Sequence, residues 1–125
     1  MLILDAGAFV AVERGNRRIA ALVKQERLSG RPPITNGGVV AQVWRGGSGR
    51  QVTVAQLLAN VDVTPLDDRL GRRAGILLGR SGRSDAIDAA LVCLSQDGDH
   101  ILTSDPDDLF GLARAAGVHV ELIPV

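Results

Sequence analysis

The chain has 125 residues, 46% hydrophobic but only 2% aromatic, and its formal charge balances at zero with 14 basic and 14 acidic side chains. That length fits one domain over residues 1–125, with a core of Val, Leu, Ile and Ala and no whole-molecule positive field of the kind a basic nucleic-acid-binding domain carries. No apolar run reaches the roughly 18 residues of a membrane span, Met1 leads into Leu2-Ile3-Leu4 without a basic leader, and the single Cys93 excludes an internal disulfide, so a cytoplasmic protein without membrane contact is expected.

In chain order, Leu2 to Leu4 is an apolar run that stops at Asp5 and predicts a strand. Helical spacing follows over Ile19 to Leu28, Val39 to Trp44 and Val52 to Leu58, with the Gly-rich stretch Gly46 to Arg50 read as a loop. Val61 to Val63 is a short strand-like run. Leu70 to Leu78 is helical, and a second Gly-rich loop is expected at Gly79 to Arg83. Gly71, Gly75 and Gly79 recur every four residues, so they share one helix side and suggest a close helix contact or a dimer seam. Ile87 to Leu94 and Leu109 to Ala115 are further helices, and His100 to Thr103 and Val118 to Ile123 further strands. Strands alternating with helices imply right-handed crossovers: an α/β, three-layer domain with a mainly parallel central sheet of four to five strands flanked by helices.

Ligand sites in open α/β sheets lie beyond the carboxyl ends of the strands. Asp5 and Asp105 both follow strands, although both also read as helix N-caps, Asp105 with Pro106 at N1 and an acid at N3. A third acid comes from Ser84-Asp85-Ala86-Ile87-Asp88, read as a helix starting after Ser84. At about 100° per residue, Ile87, Leu91 and Leu94 form the buried stripe, with Asp88 at its margin and Asp85 toward solvent. Three carboxylates together would repel by about 4 kcal/mol per pair at 4 Å. A divalent cation relieves this, and oxygen donors without His or Cys favour Mg2+ or Mn2+ over zinc.

Taken in order, Leu2-Ile3-Leu4-Asp5, Val40-Ala41-Gln42-Val43-Trp44-Arg45-Gly46, Asp88-Ala89-Ala90-Leu91-Val92 and Thr103-Ser104-Asp105 resemble the PIN-domain family, especially the toxin ribonucleases of bacterial VapBC toxin–antitoxin pairs. The resemblance covers nearly the whole chain. It implies a parallel sheet flanked by helices, magnesium-dependent cleavage of an RNA substrate, and inhibition by a small antitoxin protein; a homodimer is also expected. Carried over by residue, it implies that Asp5, Asp88 and Asp105 are catalytic and hold the metal. Gln42 stands where the family usually has Glu, so it would offer a carbonyl oxygen but no charge. Asp85 is a candidate to supply the missing charge.

Lys24 is the sole lysine, and the other basic residues are arginines, whose planar fork suits phosphate. Arg45, Arg50, Arg80 and Arg83, in or beside the Gly-rich stretches, are candidate RNA contacts. A phospho-acceptor receiver would need a lysine after a late strand, and a haloacid-dehalogenase-type phosphatase an Asp where Gly7 stands, so both are discarded. The alternative to a nuclease is a PIN module that binds RNA or protein without cutting, for which Gln42 is the main support.

Overall fold

A computed structural model describes residues 1–47 and 49–125, without the side chain of Arg50. Five strands, β1 (Leu2–Leu4), β2 (Ile34–Asn36), β3 (Asp62–Thr64), β4 (His100–Thr103) and β5 (Glu121–Pro124), form one sheet in the order β3-β2-β1-β4-β5. Every pairing is parallel, and β1 is central, with Ile3 opposite Ile34 on one side and Ile101 on the other. Leu2, Ile3, Leu4, Ile101 and Leu102 are all buried, as strands covered on both faces require.

Among the described residues, seven helices connect them: α1 (Ala6–Glu13), α2 (Arg17–Leu28), α3 (Gly37–Val43), α4 (Val52–Leu58), α5 (Asp68–Ser81), α6 (Ala86–Leu94) and α7 (Pro106–Ala116), with a 3-10 turn at Gly49–Gln51. The chain steps outward from β1 through β2 to β3, then returns to the other side of β1 for β4 and β5. Right-handed crossovers in opposite directions put the two sets of helices on opposite faces. Accordingly α1 packs with α2, α3 and α4, while α5, α6 and α7 pack with one another. No helix among the described residues is long and apolar enough to cross a membrane.

The expected elements are present with shifted ends, and two were not anticipated. Strand β2 has one strongly apolar residue, Ile34, and follows Pro32-Pro33, so periodicity could not mark it. Helix α1 reads Ala-Gly-Ala-Phe-Val-Ala-Val-Glu, apolar nearly all round, and lacks the polar face that reveals a surface helix. The last strand begins at Glu121 rather than Val118, because the chain leaves α7 through left-handed Gly117 and must travel before meeting β4. Helix α5 runs through Ser81 and closes on Gly82 at φ +70°, so Gly79 to Ser81 is helical rather than loop. Gly71, Gly75 and Gly79 lie on the exposed side of α5, where a Cβ added to any of them would meet nothing within 4 Å, which corrects the expectation of a close helix contact within the chain.

Candidate metal centre

The carboxyl ends of β1, β2 and β4 meet where the strand order reverses direction, and buried polar side chains fix the backbone there. Thr35 donates to the Leu4 carbonyl (2.8 Å). Asn36 caps α3 by accepting from Gly38 and Val39, and its amide reaches the Ile87 carbonyl of α6 (3.3 Å). Thr103 accepts from the Asp105 amide (2.8 Å). Thr35 thus joins the ends of β1 and β2, Asn36 ties β2 to the first turn of α6, and Thr103 fixes the turn after β4. Asn36 escaped the sequence reading because Asn36-Gly37-Gly38 has the composition of a turn.

Asp5 is 4% exposed and caps α1. Its Oδ1 accepts from the Ala8 amide (2.9 Å) and its Oδ2 from the Ser104 amide (3.0 Å), which joins the end of β1 to the turn before α7. Burial raises its pKa, opposed by hydrogen bonds from Thr103 and from the amides of Ala8, Ser104 and Gly7.

Asp88 lies half-buried in the first turn of α6. The N-cap of that helix is Asp85, not Ser84 as the sequence suggested. The exposed Asp85 carboxylate accepts from the amides of Ile87 and Asp88 (both 3.0 Å), using the oxygen that a hydroxyl would otherwise have supplied. Burial, the charges of Asp85 and Asp5, and a hydrogen bond shared with Asp108 together push the Asp88 carboxyl up to about 7.

Asp105 caps α7, accepting from the Asp108 amide (3.3 Å), with Pro106 beginning the helix. Carboxylate oxygens of Asp88, Asp105 and Asp108 lie within 4.8 Å of one another. Asp5 and Asp85 are outside that trio, though their charges are felt at Asp88. Asp108 was missing from the expected site residues. Its signal was the acid at N3, which read as a capping feature alone.

Gln42 is exposed on α3. It sits one turn after Gly38, on the same helix side, and a Cβ at Gly38 would press on Ile87 next to Asp88. Arg45 turns its Nη1 onto the Ala41 and Trp44 carbonyls (both 2.9 Å), closing the end of α3. Arg80 is exposed in the last turn of α5, and Arg83 pairs with Asp108 (3.3 Å). The side chain of Arg50 lies outside the described residues.

The donor set fits a hard divalent cation: carboxylates from α6 and α7 beside a buried one at β1, with burial and then like charge pushing the Asp88 carboxyl up to about 7. Gly7 makes the closeness possible, since a Cβ there would collide with the Ser104 side chain and come within 3.0 Å of its amide nitrogen. Gly7→Ala is expected to destabilise the protein by about 1–3 kcal/mol. An unchanged thermal melt would show that Ser104 yields without cost.

No protein-family model matches the sequence, and no curated protein matches it significantly. Among solved structures, a chain from FitAB bound to an IR36 DNA fragment is similar: it shares 18% identity with a TM-score of 0.66, over 98% of this chain and 94% of that one. An identity that low speaks for the fold alone. With five parallel strands in the order β3-β2-β1-β4-β5 and helices on both faces, the chain has the fold of a PIN domain.

Proposed function

We propose that this chain is a Mg2+- or Mn2+-dependent endoribonuclease, the toxin of a VapBC-type pair held in check by a small antitoxin protein. The observation that carries the reading is the gathering of Asp88, Asp105 and Asp108 within 4.8 Å at the strand ends where Asp5 is buried. The likeness to a chain of FitAB supports a toxin–antitoxin setting. Asp5, Asp88 and Asp105, joined by Asp108, would hold the cation, with Asp85 adding charge at the rim. Such an ion lowers the pKa of bound water and stabilises charge on a phosphate oxygen.

The chain's own residues do the rest. Asp5 accepts from the Ala8 amide to cap α1 and from the Ser104 amide to fix the turn that carries Asp105. Asp88 holds a proton on its carboxyl near neutral pH, so metal uptake must release that proton and affinity should rise with pH. Exposed Arg80 would meet RNA phosphates, and Arg45, Arg50 and Arg83 are further candidates for that contact. The test is cleavage of single-stranded and structured RNA with Mg2+, Mn2+ or EDTA. No metal-dependent cleavage of either would refute the nuclease reading.

A second reading, a PIN module that binds RNA or a protein without cutting it, is favoured by Gln42. A neutral amide at that position leaves the cation with weaker countercharge. Gln42→Glu is therefore expected to bind Mg2+ about tenfold more tightly, a gain of about 1.4 kcal/mol. It should also melt earlier in EDTA, since a further carboxylate adds repulsion. Equal affinities and equal melts by calorimetry would place residue 42 outside the site.

A further inference from the structure

Arg83 follows Gly82, the left-handed residue that ends α5, and its backbone amide donates to Ser81 Oγ (3.2 Å). Its guanidinium crosses to α7, where Nη1 donates to Asp108 Oδ1 (3.3 Å). The pair is only partly open to water, at 41% and 19% side-chain exposure. Below it, Gly111 stands three residues beyond Asp108, in the interior of α7. A Cβ on Gly111 would lie 2.6 Å from Arg83 Cζ and 2.7 Å from Nε, and would collide with Nη2. Glycine is unfavourable inside a helix, so this one needs a local reason, and the guanidinium lying on its backbone supplies one.

We propose that Arg83, seated on Gly111 and paired with Asp108, is a positioning residue that acts as a tethered counter-cation of the acidic cluster and weakens its hold on a divalent metal. This rests on the metal-dependent reading above. With no metal bound, Arg83 offsets repulsion among Asp88, Asp105 and Asp108. With metal bound, the same positive charge faces the cation and opposes it. Loss of a purely structural residue would lower the stability of both states equally, whereas loss of a counter-cation destabilises the metal-free state and favours the metal-bound one.

Calorimetric titration with Mn2+ at low salt, beside thermal melts in EDTA, separates these cases. Arg83→Gln should bind Mn2+ roughly threefold more tightly, the size expected for one partly exposed charge, and should melt earlier in EDTA. Arg83→Lys, which keeps the charge, should stay near wild type. Gly111→Ala should unseat the guanidinium and shift affinity the same way, while Gly75→Ala, a helical glycine with nothing within 4 Å, should leave affinity unchanged. Unchanged or weaker Mn2+ binding by Arg83→Gln overturns the proposal, as does wild-type affinity in Gly111→Ala. Absence of Mn2+ binding in every protein, wild type included, refutes the metal-dependent reading itself, and this proposal with it.

Discussion

Asp5→Asn, Asp88→Asn and Asp105→Asn are each expected to cut metal-dependent RNA cleavage by about a hundredfold or more, the scale of losing one charged group at a phosphate-transfer site. Their stabilities should differ. Asp105→Asn keeps a side-chain oxygen for the Asp108 amide, and Asn caps helices as well as Asp, so its melt should stay near wild type. Asp5→Asn has one acceptor oxygen for two backbone donors, Ala8 and Ser104, and its amide nitrogen must face one of them. That mismatch at a buried site costs about 1–3 kcal/mol. The activity assay should therefore be run well below the melting temperature of Asp5→Asn. Full cleavage by Asp105→Asn or Asp88→Asn would remove that residue from the reaction.

Asp88→Asn should raise the melting temperature of metal-free protein at pH 8 while making no difference at pH 4. The folded state holds the Asp88 proton up to about pH 7, against an ordinary value of 3.8. A raised carboxyl pKa means that stability is fully present below about pH 4 and declines as pH rises through 7. Asn cannot ionise, so the mutant escapes the decline, and its amide can still donate to Asp108. Three pH units correspond to a ceiling of about 4 kcal/mol; partial exposure reduces this to about 2 kcal/mol, or roughly 8 °C in Tm. Saturating Mg2+ should narrow the gap by stabilising the wild type more. Melts that run parallel from pH 4 to pH 8 would show that the carboxylates are not crowded in solution.

Much of the fold was legible because β1 and β4 are compact apolar runs stopped by acids, and α5 and α7 have one-sided apolar stripes with clear caps. Short β2 and all-apolar α1 were not, since one lacks apolar residues and the other lacks polar ones. The strand-end rule put Asp5 and Asp105 after β1 and β4, while helix phase separated half-buried Asp88 from exposed Asp85. Asp108 stayed hidden because an acid at N3 is expected of any capped helix. Its meeting with Asp88 depends on how α6 and α7 pack, which local sequence does not encode. The Arg83–Gly111 contact was invisible for the same reason.

The strand at the centre of the sheet is made before either of its neighbours. Ile3 must find Ile101, and Asp5 must find an amide 99 positions away, before the second edge of β1 is covered. As the chain leaves the ribosome, β1 can pair with β2 early, but its other edge stays open until β4 emerges. An apolar strand with bare amides and carbonyls is a template for wrong pairing during that interval. Closure of so long a loop also places the sheet among slower-folding topologies. The acidic cluster shares this timing: without the turn that follows β4 there is no Asp105 and no Asp108, so nascent chains short of that turn carry β1 but no complete acidic cluster.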